Sequence, residues 1–235
     1  MKGGAWLAGL LLAVPAAAHD LVTAEAAQGY LARQQQLRQA ASQGSGQARA
    51  AASVELGQML DGIRDLFNRD IEAHGKVQGL PSNFLMGELR ARGDALAWSA
   101  SRNRFTANLA YYREALRLPH DEATHAEASF RLLQGGFWDA FSEDPLQPEG
   151  LAAGQIGEQI RLGEDYLRRH PHHSGNEEAR FIVAIHYMQA ALAASGGARA
   201  GYARKARALA GDYRASHPDS LRTATLLALL ERLPP

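Results

Sequence analysis

Residues that favour helices dominate this chain, and prolines divide it into segments of helical length. Among its 235 residues are only five Val, six Ile and five Thr, which are residues that favour strands. Between the prolines, apolar residues recur every three or four positions, as they do on one face of a helix. The period is clearest in Leu56, Leu60, Ile63, Phe67 and Ile71. The sequence therefore predicts an all-α fold.

The prolines also set the helix boundaries, because proline begins or ends a helix and is excluded from its interior. The predicted helices span residues 20–42, 47–74, 81–93, 94–118, 120–142, 149–170, 175–194, 198–216 and 219–233. Gly44, Ser45 and Gly46 separate the first two. We interpret residues 19–95 as an N-terminal helical hairpin region and residues 96–235 as a second domain.

Residues 1–18 have the pattern of a cleaved secretory signal peptide. Lys2 precedes an apolar run from Ala5 to Val14, and small residues follow as far as Ala18. The run is too short to span a bilayer, which takes about 20 residues. We therefore expect a periplasmic or secreted protein without an integral membrane segment after cleavage. The chain contains no cysteine, so no disulfide stabilises it.

The charge balance and the absence of motifs narrow the function. Lys and Arg number 25, as do Asp and Glu, and both signs are interspersed, which argues against nucleic acid as a partner. The short motifs of serine hydrolases, zinc proteases and phosphate-binding loops do not occur. We predict no enzymatic activity and no cofactor. An enzyme acting on cell wall or polysaccharide is an alternative that rests only on the predicted compartment.

The second half of the chain contains a repeat. An aromatic residue, a histidine and a proline return 47 positions later, as the pairs Tyr166 and Tyr213, His170 and His217, and Pro171 and Pro218. A looser copy lies upstream at Tyr112, Leu116 and Pro119. We interpret each copy as a helix whose aromatic residue packs inward, followed by a helix that folds back with small residues at the close contact. Such units must stack to bury their apolar faces.

This repeat resembles the tetratricopeptide repeats of periplasmic bacterial scaffolds. The residues that carry the resemblance are Tyr166, His170, Pro171, Ser174, 178–181, Tyr187, 190–191, 196–197, Ala203, Ala206, Tyr213, His217, Pro218 and Ser220. They are similar to the repeats of the Tol-Pal-associated cell division coordinator and of the outer-membrane assembly lipoprotein. The resemblance implies a right-handed array of stacked antiparallel helix pairs over residues 96–235. It also implies a concave groove for a protein or peptide, with no catalytic residues.

Aromatic residues concentrate between positions 98 and 141, and they have two interpretations. They are either a packed core or part of a groove that receives a peptide, since exposed aromatic side chains mark recognition sites. The predicted partner-binding residues are Trp98, Tyr111, Tyr112, Phe137, Trp138 and Phe141. The predicted function is a non-catalytic scaffold or adaptor that binds a protein or peptide in the cell envelope.

Histidines suggest the alternative function, a periplasmic metal-binding protein. Cleavage after Ala18 places His19 at the N-terminus, where an amine and an imidazole together bind copper. A second candidate is a zinc site formed by His170, His172 and His173, which otherwise form a polar link between helices. Asp121 and His125 also share a helical face, although negative charge at a helix start explains Asp121 equally well.

Overall fold

The computed structural model describes residues 22, 24–74, 84–94, 96–142, 144–147 and 151–233, and these residues form nine helices and two short strands. In chain order the elements are α1 (Ala24–Gln43), α2 (Gly46–His74), α3 (Phe84–Ala91), β1 (Ala97–Ser99), β2 (Arg104–Thr106), α4 (Ala110–Arg117), α5 (Glu122–Ala140), α6 (Ala153–Arg169), α7 (Asn176–Ala193), α8 (Gly196–Ser216) and α9 (Leu221–Leu230). The predicted all-α fold is confirmed. The predicted signal peptide at residues 1–18 and His19 lie outside the described residues.

No helix in the described part of the chain is both long enough and apolar enough to cross a membrane. The chain divides into two compact units, one reaching Asn108 and the other starting at Leu109. The boundary placed after residue 95 from the sequence differs from this division because the two strands belong to the first unit. There β2 packs against α2, α1 pairs with α2, and α3 packs against α1.

The apolar stripe of α2 organises the first unit. All five residues that gave the clearest period in the sequence are buried, namely Leu56, Leu60, Ile63, Phe67 and Ile71. Ala27, Leu31 and Leu37 of α1 are buried as well. The two helices thus remove their apolar faces from water together, which is the main favourable term in folding.

A β-hairpin replaces the first half of the helix predicted at residues 94–118, and only Ala110–Arg117 of that segment is helical. Trp98 and Phe105 pair across the hairpin, and Asn103 in the turn has a φ of +49°, a region that Asn tolerates. The buried side chain of Asn68 donates to the Phe105 carbonyl oxygen (2.9 Å) and accepts from the Phe105 N–H (2.8 Å). This distant residue satisfies backbone groups of β2, which a local sequence pattern does not reveal.

In the second unit, successive helices pack against one another from α4 to α9. In addition, α7 contacts both α5 and α9. The predicted packing of adjacent helices is therefore confirmed. The right-handed, tetratricopeptide-like arrangement of these helices stays a prediction.

The centre of the second unit is α7. Its consecutive residues 181–185 are all buried, so this part of the helix has no face toward solvent. A helix that is apolar on all sides is stable only inside a protein. Helices α5, α6, α8 and α9 supply the surfaces that cover it.

The two copies of the sequence repeat have matching structures. Tyr166 near the end of α6 and Tyr213 near the end of α8 are both 0% exposed. The following histidines end the helices with similar backbone angles, φ −122° and ψ 57° at His170 and φ −138° and ψ 61° at His217. The aromatic residue of each copy packs inward, as the sequence predicts.

Each repeat also closes its corner with the same kind of hydrogen bond. The His170 carbonyl oxygen accepts from Asn176 Nδ2 at 2.7 Å, and the His217 carbonyl oxygen accepts from Thr223 Oγ1 at 2.5 Å. In both copies the donor lies six positions after the histidine. Carbonyl groups at a helix end lack partners within the helix, so these side chains satisfy them and fix the start of the next helix.

A small residue lies at matching positions in the two repeats. Gly163 of α6 and Ala210 of α8 are both buried and 47 positions apart. A Cβ atom on Gly163 would lie 2.2 Å from Val183 Cγ2 and 3.4 Å from Leu133 Cδ1. The absence of a side chain at Gly163 therefore permits the close approach of α6 and α7.

We expect Gly163→Ala to lower the free energy of unfolding by about 1–3 kcal/mol, because the added methyl group overpacks the contact with α7. Gly157→Ala, in the same helix, is the matched control, since its Cβ meets only Arg161 Nη1 at 3.8 Å. This control should raise the free energy of unfolding by up to about 1 kcal/mol through helix propensity. Urea denaturation of both variants tests the expectation, and equal gains in stability would contradict it.

His186 is a polar residue inside α7 with a fully buried side chain. Its Nδ1 lies 2.8 Å from the side-chain oxygen of Gln189, whose Nε2 in turn donates to the Pro145 carbonyl oxygen at 2.7 Å. Nδ1 therefore carries the proton, and the Nε2 lone pair has no hydrogen-bond partner in the described part of the chain. Burial lowers the pKa of His186 to about 4, so the ring is neutral at neutral pH.

Acid should destabilise the second unit through His186. The pKa is about 4 in the folded chain and about 6.5 in the unfolded chain, so the unfolded chain binds the additional proton between these values. The contribution to stability is complete above pH 6.5 and is lost as the pH falls to about 4, a change of roughly 3 kcal/mol.

We expect His186→Leu to reduce this loss without abolishing it, as measured by urea denaturation at a series of pH values. His172→Gln is the control, because the His172 side chain is exposed, and it should keep the wild-type pH dependence. The same fall in stability in wild type and in His186→Leu would exclude His186 as its source.

Candidate functional site

A groove of about 620 Å³ lies between α6 and α8. Its floor is α7, which packs against both helices and contributes the buried side chains of Val183 and Tyr187. Leu167 of α6 and Leu209 of α8 line the walls and are half-buried. The groove therefore offers an apolar surface between two helices that occupy equivalent places in the repeat.

A triangle of hydrogen bonds connects the three helices at this groove. Lys205 Nζ of α8 donates to Glu164 Oε1 of α6 at 2.8 Å and to the Tyr187 hydroxyl oxygen at 2.9 Å. The Tyr187 hydroxyl donates to the same Glu164 oxygen. The triangle therefore links both walls of the groove to its floor.

The charges of this triangle are stabilised by its own hydrogen bonds. Burial by itself would raise the pKa of Glu164, but hydrogen bonds from Lys205 and Tyr187 lower that pKa below its usual value. Hydrogen bonds to Glu164 and Tyr187 raise the pKa of Lys205. Both groups are therefore charged at neutral pH, and the link between α6 and α8 is an ion pair.

Other charged side chains surround the apolar surface of the groove. Three are basic and three are acidic, namely Arg161, Arg168, Lys205, Glu164, Asp165 and Asp212. Lys205 pairs with Glu164, and Arg168 pairs with Asp165. Arg161 and Asp212 form no ion pair within the described residues. One positive and one negative charge thus line the groove without an intramolecular counterion there.

The aromatic residues predicted to bind a partner lie in several environments. Phe137, Trp138 and Phe141 form one cluster, with ring centroids 5.0–5.6 Å apart. Phe137 is buried in the core, while the other two are half-buried against it. Trp138 Nε1 donates to Glu178 Oε1 at 2.8 Å. Phe137 therefore belongs to the packed core, the first of the two interpretations of these aromatic residues. Trp138 and Phe141 pack against the core and keep part of their surface exposed.

The remaining predicted aromatic residues do not join this cluster. Tyr112 is fully buried in α4, and its neighbour Tyr111 is half-buried. Trp98 is 39% exposed and lies in the first unit, where its ring meets Phe105 edge-on at 5.0 Å. Burial removes Tyr112 and Phe137 from the surface, so neither side chain is placed to contact a partner.

The three histidines of the predicted zinc cluster also point to different neighbours. His170 Nε2 lies 2.8 Å from His125 Nδ1, whereas His173 Nδ1 lies 2.6 Å from the Tyr166 hydroxyl. His172 is exposed. These three side chains therefore do not converge on one point, and the contact that the structure reveals is between His170 and His125.

His125 and His170 belong to a closed ring of hydrogen-bonding groups between α5 and α6. Arg169 Nη1 lies 2.8 Å from His125 Nε2, and Arg169 Nη2 donates to Glu122 Oε2 at 3.2 Å. Because a guanidinium only donates, His125 Nε2 accepts and its Nδ1 carries the proton toward His170 Nε2. His170 Nδ1 then carries a proton and faces Glu122 Oε1 at 3.3 Å.

The surroundings of the two rings favour their neutral forms. Burial lowers the pKa of His125, and the positive charge of Arg169 lowers it further. Burial also lowers the pKa of His170, against the opposing effect of the Glu122 carboxylate. With both rings neutral, each has one nitrogen with a lone pair and one nitrogen with a proton.

The sequence pattern pairs His125 with Asp121, but the hydrogen-bonding neighbours of His125 are His170 and Arg169. The Asp121 carboxylate accepts from the Thr124 N–H at 2.8 Å and caps the start of α5. His170 lies 45 positions from His125, so no local pattern connects them. One available signal was the spacing of Glu122 and His125, three positions apart, which places both on one helical face.

No protein-family model matches the chain, and neither a curated protein nor a solved structure matches it.

Proposed function

We propose that the protein is a non-catalytic scaffold or adaptor that binds a peptide segment of a protein partner in the groove between α6 and α8. The observation that carries the proposal is the groove itself, about 620 Å³ in volume, with an apolar floor and charged walls. Peptide grooves commonly combine apolar pockets with a few polar groups that fix orientation. The proposed function is the one expected from the repeat. The proposed binding residues are those that line the groove, and no longer the aromatic residues between positions 98 and 141.

The apolar part of the groove suits one or two aliphatic or aromatic side chains of a partner. Leu167 and Leu209 are half-buried and lie beside the buried Val183 of the floor. A partner side chain there would remove the remaining exposed surface of both leucines from water, which contributes about 25 cal/mol for each Å². Apolar burial would therefore supply much of the affinity.

The charged part of the groove suits a segment that carries both signs. Arg161 and Asp212 lack an ion pair within the described part of the chain, so each can pair with an opposite charge on the partner. Such pairs at the rim of an interface contribute to specificity and orientation more than to affinity. We propose a segment with an acidic residue and a basic residue on either side of an apolar one.

The compartment of the partner follows from the predicted signal peptide. Export would place the groove in the periplasm or outside the cell, where the partner would be a protein of the cell envelope. The absence of cysteine agrees with this expectation, since no free thiol is exposed to oxidation. The groove proposal itself does not depend on the compartment.

A displayed library of random peptides, selected on the full chain, tests the groove. We expect the selected peptides to share an apolar residue flanked by charges of opposite sign. Leu209→Glu should weaken their binding by about tenfold or more, because it puts a charge into the apolar part of the groove. Arg161→Glu should shift the selection toward a basic residue at the position where the wild type prefers an acidic one.

Glu158→Lys is the matched control, because Glu158 is an exposed residue of α6 outside the groove lining. It should leave the selected peptides and their affinities unchanged. Circular dichroism verifies that each variant is folded. Binding that survives Leu209→Glu and is lost in Trp138→Ala would place the partner on the aromatic cluster and overturn the groove proposal.

A further inference from the structure

The ring formed by Glu122, His125, His170 and Arg169 contains the donor groups of a metal site. Three potential ligand atoms, one each from Glu122, His125 and His170, lie within 4.8 Å of one another. Two imidazoles and a carboxylate suit late first-row divalent cations such as Zn²⁺ better than Mg²⁺ or Ca²⁺, which prefer oxygen ligands. We propose that this cluster, which joins α5 to α6, binds Zn²⁺ or a similar cation in exchange for the Arg169 guanidinium.

The spacing of the two imidazoles fits this exchange with small side-chain movements. His125 Nδ1 and His170 Nε2 face each other at 2.8 Å. Nitrogen ligands of a tetrahedral Zn²⁺ lie about 3.3 Å apart, given bonds of about 2.0–2.1 Å. The nitrogens therefore need to separate by about half an ångström, and both rings need to turn so that their lone pairs meet at the cation. Glu122, which now faces His170 Nδ1 at 3.3 Å, would turn from that proton to the cation as the third ligand.

Arg169 and a metal ion compete for the same lone pair of His125. A neutral imidazole has one lone pair, which now accepts from Arg169 at Nε2. Coordination through Nδ1 moves the proton of His125 from Nδ1 to Nε2, and Nε2 then no longer accepts from Arg169. The His125 imidazole stays neutral, because the proton only moves from one of its nitrogens to the other. Metal binding therefore requires that Arg169 leave His125.

Arg169 has an alternative position close by. Its side chain is 36% exposed, and its Nη1 already lies 3.8 Å from Asp165 Oδ2, one helical turn earlier in α6. Movement toward Asp165 would release the Glu122 carboxylate as well, since Arg169 now holds both Glu122 and His125. The Glu122 side chain is largely exposed, so water can complete the coordination on that side. The Arg169 guanidinium thus holds Glu122 and His125 in the way that a bound metal cation would, and it can be replaced by one.

Competition with a chromophoric chelator, using Zn²⁺ and the full chain, tests the site. We expect Arg169→Ala to bind Zn²⁺ about tenfold more tightly than wild type or better, because the competing hydrogen bond to His125 is removed. We expect His170→Gln to bind about a hundredfold more weakly or worse. Co²⁺ in place of Zn²⁺ should give the intense visible absorption of a tetrahedral complex in wild type and not in His170→Gln.

Three further variants make the result decisive. Glu122→Gln changes an exposed side chain and should weaken Zn²⁺ binding with the fold intact, which covers the case in which His170→Gln does not fold. His172→Gln should keep wild-type affinity, because the His172 side chain is exposed and is not one of the cluster ligands. His19→Ala should also keep it if the cluster alone binds Zn²⁺, and this variant separates the cluster from the copper site predicted at His19. Absence of Zn²⁺ binding in wild type, or an Arg169→Ala variant that binds no more tightly than wild type, would overturn the proposal.

Discussion

The burial of residues 181–189 of α7 is the constraint on which the second unit depends. A helical segment without a solvent-facing side needs neighbours around it, and α5, α6, α8 and α9 all contact α7. Because α6 and α8 both pack on this one helix, the space between them becomes a groove whose floor is already formed. The tyrosines at the ends of α6 and α8 anchor these two helices, since both side chains are buried completely.

The sequence predicts those features that depend on neighbours along the chain. Proline positions and apolar periods located the helices, and the recurrence of Tyr166 at Tyr213 identified equivalent helix ends. The helix predicted at residues 94–118 is wrong in its first half, where Asn68 supplies hydrogen bonds to β2 from far away in the sequence. Local preference for a helix cannot compete there with backbone groups that are satisfied by a distant side chain.

The candidate sites also combine features that local sequence predicts with features that depend on distant contacts. The sequence shows that aromatic residues are concentrated between positions 98 and 141. It does not show that Phe137 and Tyr112 are buried, because a single sequence does not reveal which face of a helix is covered by neighbouring helices. The groove depends on the gap between α6 and α8, and the histidine pair depends on the approach of α5 to the end of α6. Both distances are tertiary properties, so they are absent from any local pattern.

The triangle of Glu164, Tyr187 and Lys205 has a consequence for the energetics of association. Proteins that order their own loops when they bind a ligand lose conformational entropy, and this loss reduces affinity. Here hydrogen bonds join the opposing helices to their common floor without a ligand, so the gap between them is already formed. A peptide segment that bound there, as we propose, would lose its own conformational freedom while this protein would lose little.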